Sequence, residues 1–331
     1  MAAKSVGALD QWAGAPAEQA PETRPEPVGA RSPRQIFWAR FKKDKAALAG
    51  AAAIITLALL AVCAPLVADA VGRGPNDLSL ARTMTDEFGL PKGPNSTFWF
   101  GADKAGRDLF VRVVYGARTS LTVALFATGI SVFVGVVLGM VAGHFGGKTD
   151  AVISRVIDVI LSLPLLLFAI GIAAACSTTK EGCLGGVAKP GLGLVVFIIA
   201  VFSWPYIARI VRGNTLSIRE REYIEAARSL GAGNMRLMFR EVLPNLAAPI
   251  IVYSTLVVPA NVIFEASLSF LGVGLPQSVP SWGRMLSEAA DLLEVAPWMM
   301  LFPALFLVLT TLSFNLLGDG LRDALDPRSD R

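Results

Sequence analysis

Runs of apolar residues dominate the pattern along this chain, and polar residues gather between them. A helix needs about 20 largely apolar residues to cross a membrane. Six segments meet that requirement: 46–68, 119–142, 152–175, 192–211, 246–271 and 297–317. None of them alternates apolar and polar residues as the strands of a membrane barrel do, and helices are the other structure that crosses membranes. The pattern therefore predicts an all-α integral membrane protein with six transmembrane helices.

The two ends of the chain lack this pattern. Residues 1–33 are rich in Ala, Pro, Glu and Gln without periodicity, which is typical of a disordered tail and not of a signal peptide. Residues 327–331 form a short polar tail. We expect one transmembrane domain over 34–326, with a polar segment at 213–245 between the fourth and fifth spans.

Composition agrees with a membrane protein and narrows the chemistry. Of 331 residues, 53% are hydrophobic and 17% are charged, whereas soluble domains carry about 25% charged residues. The formal net charge is +4, and the basic residues bear on membrane orientation more than on nucleic-acid binding. His144 is the one histidine in the sequence, which argues against a histidine-rich metal site or a Ser-His-Asp triad. We expect no metal site, no catalytic residue and no nucleic-acid partner.

Lysine and arginine concentrate on one side of the predicted membrane, as they do in cytoplasmic loops. With the N-terminus inside, the inner segments hold Lys42, Lys43, Lys45, Lys148, Arg155, the basic residues between Arg209 and Arg240, and Arg322, Arg328 and Arg331. The shorter outer loops hold Lys180, Lys189 and Arg284, and the long loop 69–118 counts less. We predict a multi-pass protein of the cell membrane with both termini in the cytoplasm.

Small residues recur every four positions in the second predicted span, at Ala127, Ser131, Gly135, Gly139 and Gly143. Such a stripe lets another helix approach closely. The approaching helix could belong to this chain or to a second subunit, and the sequence leaves both open.

Two predicted spans contain a proline in their interior, Pro164 in the third and Pro205 in the fourth. Proline removes one helical hydrogen bond and clashes with the preceding turn, so we expect a kink at each position. Such kinks occur both in bundles that bend and in static ones.

The stretch AGHFGGKT, residues 142–149, is similar to a phosphate-binding loop. A loop of that kind follows a β-strand and opens a helix within an α/β domain. This stretch follows a predicted transmembrane helix, and no cytoplasmic segment is long enough for a nucleotide-binding domain. We interpret it as a tight turn and expect any ATP to be bound by another chain.

Cys176 and Cys183 flank the sequence STTKEG in the predicted outer loop after the third span. On an oxidising face of the membrane, two cysteines this close can form a disulfide. The alternative is two free thiols. Cys63 lies in the first predicted span, where we expect it to serve packing.

The segment REYIEAARSLGAGNMRLMFREVLPN, residues 221–245, is polar and helical in pattern although apolar spans flank it. Two short amphipathic helices are predicted from apolar residues at helical spacing, namely Tyr223, Ala227 and Leu230 in the first and Met235, Met238, Phe239 and Val242 in the second. We expect them to project into the cytoplasm and dock into a groove of a partner protein. The alternative is a plain linker between two spans.

The expected turn between these helices has its own residues. Gly231 and Gly233 permit it because glycine adopts positive φ without steric cost. Asn234 is placed to cap the second helix. Pro244 is placed to stop that helix before the fifth span begins.

The same segment carries a known motif: Glu225, Ala226, Ala227 and Gly231, with Leu243 and Pro244 at its end. In this spacing it resembles the EAA loop of bacterial ABC importer permeases. The resemblance implies that the segment from Glu225 to Gly231 sits in a groove of a separate ATPase subunit and couples ATP hydrolysis to transport.

Two further stretches resemble the C-type subunit of the dipeptide and oligopeptide permeases. The first is FGADKAGRDLFVRVVYGARTSL at 100–121, in which Ala102 replaces the usual threonine of the family and the external motif consists of Gly101, Asp103, Gly106, Arg107 and Asp108. The second is EASLSFLGVGLPQSVPSWG at 265–283. Together the three stretches extend the resemblance over roughly residues 35–326, which is nearly the whole fold.

The resemblance implies a type I ABC importer that works by alternating access. This chain would form half of the pathway for di- or oligopeptides, beside a second, B-type permease subunit. Two ATPase subunits and an external substrate-binding protein would complete the assembly. ATP and magnesium would then bind the ATPase subunits, and this chain would bind no cofactor. The rival interpretation is a self-sufficient secondary transporter or channel, which predicts buried charges in several spans and inverted repeats.

Polar residues share one face of the fifth predicted span, at Ser254, Asn261 and Glu265. A carboxylate in mid-membrane costs about 2.5–3.5 kcal/mol, so Glu265 is expected to face water or a partner and not lipid. We predict that this face lines the translocation pathway. The alternative is a structural hydrogen bond near the outer gate.

Overall fold

The computed structural model describes residues 33–177, 183 and 191–325. The regular elements in this part of the chain are helices, joined by turns and irregular segments that include the isolated β-bridges Thr85–Pro91 and Ala102–Asp108. Its elements in order are α1 (Pro33–Phe41), α2 (Lys45–Val62), α3 (Ala64–Val71), α4 (Ala81–Met84), α5 (Leu109–Phe145), α6 (Gly147–Ser162), α7 (Leu165–Ser177), α8 (Leu192–Arg219), α9 (Glu222–Ser229), α10 (Asn234–Arg236), a π-helical segment (Leu237–Val242), α11 (Leu243–Phe270), α12 (Trp282–Ala290) and α13 (Trp298–Leu325). The predicted tails 1–33 and 327–331 lie outside the described residues, except for Pro33.

Five helical stretches are long and apolar enough to cross a membrane: Lys45–Val62, Leu109–Phe145, Leu192–Arg219, Asn234–Phe270 and Trp298–Leu325. A sixth candidate is the bent pair formed by α6 and α7. Each predicted span therefore has a helical counterpart. The first, 46–68, is divided between α2 and α3 at Cys63.

The expected kink at Pro164 is a complete break. Leu163 leaves the helical conformation with φ −75° and ψ 140°, because the helical region is disfavoured for a residue that precedes proline. As a result α6 and α7 meet at 87°, so the span predicted over 152–175 is divided into two helices at the proline where a kink is expected. Pro205, in contrast, lies inside α8, which continues to Arg219.

The stripe of small residues on α5 packs against α8 of the same chain. A Cβ atom added at Gly139 would lie 2.6 Å from the Ala208 carbonyl oxygen, and one added at Gly143 would lie 2.6 Å from the Thr215 Cβ. A Cβ added at Gly135 would lie 2.7 Å from the Ile207 Cβ. These glycines therefore serve packing within this chain, which was the first of the two alternatives.

α13 approaches two helices in the same manner. It contacts α2 and α11. A Cβ at Gly50 would lie 2.7 Å from the Ser313 carbonyl oxygen, and one at Gly318 would lie 2.8 Å from a Leu256 methyl carbon. Close backbone contact is a substitute for the hydrophobic effect in lipid, where apolar side chains gain little by leaving the solvent.

Cys176, at the end of α7, forms a disulfide with Cys183, and their Cα atoms are 4.8 Å apart. The sulfur of Cys176 belongs to an apolar cluster with α8 residues such as Val195 and Ile198. The bond thus fixes the start of the following loop to the packed ends of α7 and α8. Cys63 is a free cysteine.

We expect Gly139→Ala to destabilise the protein by about 1–3 kcal/mol, because overpacking a close backbone contact forces the helices apart. Gly129→Ala is the matched control, since Gly129 lies on the same helix with nothing within 4 Å of its added Cβ. Thermal unfolding of the purified protein in detergent measures the difference. Equal midpoints for the two variants would contradict the packing role.

We predict that the Cys176–Cys183 bond is present in protein isolated from cells. Non-reducing peptide mass spectrometry after alkylation should find these two residues linked and Cys63 alkylated, so that Cys63 serves as the internal control. Alkylation of all three thiols would show that the bond does not form in the membrane.

Candidate functional site

The polar segment between α8 and α11 folds as a short helix, a turn and the start of a long helix. α9 ends at Ser229, and Gly231 follows with φ +84°, in the left-handed region that glycine adopts readily. Gly233 has φ −72°, which any residue adopts. Of the two predicted turn glycines, only Gly231 is therefore required by the backbone.

Two expectations about the second helix are wrong. Asn234 does not cap it, since Gly233 is the N-cap residue and Asn234 is already inside α10. Pro244 does not stop the helix either, because the helical stretch runs on from Asn234 to Phe270. The segment Leu237–Val242 widens to a π-helix. This wider turn accommodates the missing N–H and the ring of proline, a recognised use of such bulges.

The apolar residues predicted to share one face of each helix are divided in the structure between a buried side and an exposed side. Ile224, Leu237, Met238 and Val242 are buried and share one apolar cluster with Met140 of α5 and Val211 of α8. Four large apolar side chains are exposed instead, with exposed fractions of 40% for Tyr223, 89% for Leu230, 67% for Met235 and 54% for Phe239. We call these four residues the coupling surface.

The residues of the EAA resemblance lie around the coupling surface. Glu225, Ala226, Gly231 and Pro244 are exposed. Ala227 and Leu243 are partly buried against the apolar cluster that contains Ile224. The segment thus has an inner side that attaches to the spans and an outer side without a partner among the described residues.

Polar contacts also tie this segment to the end of α5. The His144 Nε2 atom is 3.2 Å from the Asn234 Oδ1 atom, and the His144 side chain is buried. The guanidinium of Arg219 donates to the carbonyl oxygens of Gly143 and His144 at 3.2 and 3.3 Å. These carbonyls belong to the last turn of α5, where helices lack internal donors. The end of α5 is therefore held by both α8 and α10.

The external motif forms the turn that starts α5 at the opposite end. Gly101 and Gly106 both have φ +80°. Asp103 accepts hydrogen bonds from the Ala105 and Arg107 backbone N–H groups at 2.9 Å each. Asp108 is the N-cap of α5. The motif thus fixes the loop and the start of the helix together.

Two contacts show why the turn tolerates little change. A Cβ at Gly101 would lie 2.7 Å from the Trp298 Nε1 atom, and one at Gly106 would lie 2.7 Å from the Ala81 Cα. Trp298 also donates from Nε1 to the Ala102 carbonyl oxygen at 3.2 Å. Ala102 is buried, so the residue that replaces threonine here packs against its surroundings.

Charged residues around this turn form a cluster that extends to α12. Arg107 binds Asp103 at 2.7 Å and Glu288 at 3.2 Å. Arg112, which is fully buried, lies 3.1 Å from Asp103 and 3.6 Å from Glu288. Arg284 lies 3.7 Å from Glu288. We call Asp103, Arg107, Arg112, Arg284 and Glu288 the outer charge cluster.

A second ion pair lies beside it. Arg73 Nη2 is 3.5 Å from Asp108 Oδ2, and the Arg73 guanidinium lies 4.7 Å from the centre of the Phe98 ring. Burial raises the pKa of Asp108 above its ordinary value, although the Val111 N–H and the charge of Arg73 act in the opposite direction. The charge of Arg73 therefore helps the buried Asp108 carboxylate to remain ionised.

The structure places the predicted pathway residues inside the chain. Asn261 accepts from Ser203 and donates to Thr128, both at 2.8 Å. Glu265 is fully buried and accepts from Ser120 at 2.9 Å and Ser269 at 2.7 Å. Both residues bridge α11 to α5, and Asn261 also reaches α8. This geometry favours the structural alternative over a pathway lining for these two side chains.

Ser254, the third residue of that face, is partly buried and donates to the Ile250 carbonyl oxygen in its own helix. Among the described residues it makes none of the bridges between helices that Asn261 and Glu265 make, so the three residues do not act as one group. The shared face predicted from their spacing is divided along the length of α11.

Three residues that form the ion pairs and hydrogen bonds described above were not predicted from the sequence. Arg112 lies in an apolar stretch, LFVRVVYG, and a charge in such a stretch needs a buried partner. Glu288 and Ser120 carry no comparable local signal, because their partners lie far away in the sequence. Among the described residues, no group of three or more His, Cys, Asp or Glu side chains is placed to hold a metal ion.

Family comparisons agree with this arrangement. Residues 135–331 match the model of the "Binding-protein-dependent transport system inner membrane component". Residues 32–82 match the "N-terminal TM domain of oligopeptide transport permease C". The first match covers the helices that carry the coupling surface and α12, and the second covers α1 to α3.

Curated relatives are similar over nearly their whole length. The glutathione transport system permease protein GsiD of Pectobacterium atrosepticum is 39% identical, over 90% of this chain and 92% of that protein. The dipeptide transport system permease protein DppC of Alkalihalophilus pseudofirmus is 39% identical, over 90% of this chain and 91% of that protein. GsiD of Escherichia coli O6:K15:H31 is 40% identical, over 93% of this chain and 94% of that protein.

Among solved structures, a chain of the MetNI methionine ABC transporter in an inward facing conformation matches with a TM-score of 0.54 and 19% identity. The match covers 66% of this chain and 98% of that one, and it concerns the fold. The family model and the curated relatives set aside the alternative of a self-sufficient secondary transporter or channel. The chain belongs to the family of inner membrane permease components of binding-protein-dependent ABC transport systems.

Proposed function

We propose that this chain is the C-type permease subunit of an ATP-driven importer for small peptides. It would form half of the translocation pathway, with a B-type permease subunit forming the other half. An external binding protein would deliver the cargo, and two ATPase subunits would bind ATP and magnesium. The names of the relatives support the cargo class, because a dipeptide and glutathione are both small peptides.

The observation that carries the coupling role is the coupling surface. Leu230 is 89% exposed, and the apolar side chains of Tyr223, Met235 and Phe239 are exposed in the same segment of the chain. A cluster of large apolar side chains in water is costly and marks a protein-binding site. Exposed Glu225 adds a polar contact at its edge. We infer that the surface enters a groove on an ATPase subunit, and this assignment supports a cytoplasmic location for the surface and for both termini.

Movement of the coupling surface would reach the spans through its buried side. Ile224 packs in the same cluster as Met140 of α5, Val211 of α8 and Leu246 of α11. Packed interiors transmit displacement because they have little free volume. ATP-driven closure of the ATPase subunits would therefore shift three spans together. Coupling requires that the contacts differ between the two states of the transporter.

The phosphate-loop-like stretch 142–149 supports the assignment of ATP to another chain. α5 continues to Phe145, and α6 begins at Gly147. Gly146 and Gly147 have φ +66° and +53°, which is the geometry of a tight turn between two helices. A strand does not precede this turn, as a phosphate-binding loop would require.

We expect Gly231→Val to leave the chain in the membrane but to weaken assembly with the ATPase or to uncouple hydrolysis from uptake. A β-branched residue at φ +84° strains the turn by at least about 1–2 kcal/mol. The added side chain meets no neighbour within 4 Å, so the effect is one of backbone geometry. The measurements are subunit stoichiometry, peptide-stimulated ATP hydrolysis and uptake in proteoliposomes containing the complete complex.

Two controls accompany this variant. Gly231→Asn should retain coupling, because asparagine tolerates the left-handed region, and Gly233→Ala should retain it because Gly233 has negative φ. Normal stoichiometry, hydrolysis and uptake for Gly231→Val would exclude a coupling role for the turn. Failure of the unmodified complex to take up any di- or tripeptide would contradict the proposed cargo.

We expect the His144–Asn234 contact to contribute to coupling, because it joins the turn of the coupling segment to the end of α5. His144→Ala and Asn234→Ala should each lower peptide uptake per ATP hydrolysed by roughly 2- to 10-fold, the effect of one hydrogen bond. The double variant should lose no more than either single variant, since both remove the same bond.

His144→Gln is the conservative variant for this cycle, because an amide can donate to the Asn234 oxygen. It should recover part of the lost ratio of uptake to hydrolysis. Losses that add in the double variant would show that the two residues act separately. Unchanged ratios in both single variants would show that the contact carries no coupling.

A further inference from the structure

A cleft lies at the end of the helices opposite to the coupling surface. Its volume is about 340 Å³, and it is lined by residues 272–277, Gly191 and Arg284. The outer charge cluster, which includes Arg284, surrounds the start of α5, whereas the coupling segment contacts the end of α5. This helix has 37 residues, so the two sites are separated by about 55 Å along it.

The charged residues grouped around Arg284 are unbalanced within the described part of the chain. The outer charge cluster contains three guanidinium groups, from Arg107, Arg112 and Arg284, and two carboxylates, from Asp103 and Glu288. Three positive charges against two negative ones leave one positive charge in excess. The neighbouring pair of Arg73 and Asp108 is neutral and does not change this difference.

The excess charge falls on Arg284. Glu288 binds Arg107 at 3.2 Å, but its distance from Arg284 is 3.7 Å, which is too long for a hydrogen bond. Within the described part of the chain, the buried Nε atoms of Arg284 and Arg112 lack a hydrogen-bond partner, but Arg112 donates from Nη1 to Pro75 and Asn76. Of the described residues that line the cleft, Arg284 alone is charged. A partly buried charge without a close hydrogen-bonded partner is stabilised when an opposite charge joins it.

The rest of the cleft admits a small ligand close to the backbone. Two of the lining residues, Gly191 and Gly272, have no side chain to keep a ligand away, and nothing lies within 4 Å of an added Cβ at either position. Gln277 is exposed at the cleft and offers both an amide donor and an acceptor. The volume lies at the lower end of the range for small-molecule sites, about 300–1,000 Å³.

We propose that this cleft binds a carboxylate group of the peptide cargo, with Arg284 as the recognising cation. A guanidinium matches a carboxylate with two parallel hydrogen bonds. A small peptide carries such a group at its C-terminus, and the cleft has room for little more than its last residues. The inference rests on the proposed peptide cargo, and it adds a subsite with a stated chemical preference.

The test measures the electrostatic field of the cleft directly. Gln277→Cys is introduced into a Cys63→Ala background, and the rates of modification by an anionic and a cationic methanethiosulfonate reagent are compared in the purified complex. The anionic reagent should react faster, by roughly 3- to 10-fold for one excess charge nearby. The rates should become similar when Arg284→Gln is added.

Arg118→Gln is the matched control, because Arg118 is exposed on α5 and lies outside the cluster. It should leave the ratio of the two rates unchanged. Arg284→Lys should preserve the preference for the anionic reagent. A preference that survives Arg284→Gln, or that falls equally with Arg118→Gln, would overturn the assignment of the field to Arg284.

A second arm keeps Arg284 intact and so does not depend on a variant that folds poorly. Dialanine at about 10 mM, enough to saturate a site with a Kd of about 1 mM, should slow modification of Gln277→Cys. Dialanine amide, which lacks the carboxylate, should not. Equal protection by the two peptides, or protection by neither, would overturn the proposal. Both readouts are independent of transport, so uptake of peptides can persist when the subsite fails.

Discussion

A polar or charged side chain within a bundle of membrane helices needs a partner inside the protein, because lipid offers none. Arg112, Asn261 and Glu265 are each at most 2% exposed. Each has at least one partner distant in sequence: Glu288 for Arg112, Ser203 and Thr128 for Asn261, and Ser120 for Glu265. Arg112 also pairs with the nearer Asp103. The helices that carry these groups can therefore meet in few ways. The arrangement of α5, α8, α11 and α12 depends on this constraint.

Close backbone packing complements the polar bridges. α5 contacts α8 through Gly135, Gly139 and Gly143, so the two helices lie in close contact along this stretch. The stretch leads to the contact between His144 and Asn234, and the outer charge cluster lies at the other end of α5. A displacement at one end is carried to the other because the intervening packing leaves no room for a local adjustment.

The sequence predicts the helices better than it predicts their joints. Hydropathy locates all six apolar segments, since lipid requires long apolar helices. The positive φ of Gly231 also follows from residue type. Residue type alone predicts neither the break at Pro164 nor the continuous helix through Pro244, although both positions carry proline. The difference lies in what surrounds each ring: Leu163 adopts an extended backbone, whereas the segment before Pro244 widens into a π-helix.

The sequence also does not predict which distant residues contact the polar side chains of α11. The spacing of Ser254, Asn261 and Glu265 correctly indicates polar residues along α11, but it contains no information on what they face. Glu265 meets a serine 145 positions away, and Asn261 meets a threonine 133 positions away. Periodicity describes one helix, and such contacts arise only when helices pack. A buried polar group therefore predicts the need for a partner without naming it.

The two ends of α5 differ in a way that suits alternating access. The outer end is held by several ion pairs around Arg112, and a buried charge that loses its partner is strongly destabilising. The inner end is held by one hydrogen bond from His144, by Arg219 and by apolar packing around Ile224. Moving the outer end would therefore separate buried ion pairs, whereas the contacts described at the inner end include none. We expect the inner end, which is packed to the coupling segment, to move more readily than the outer end.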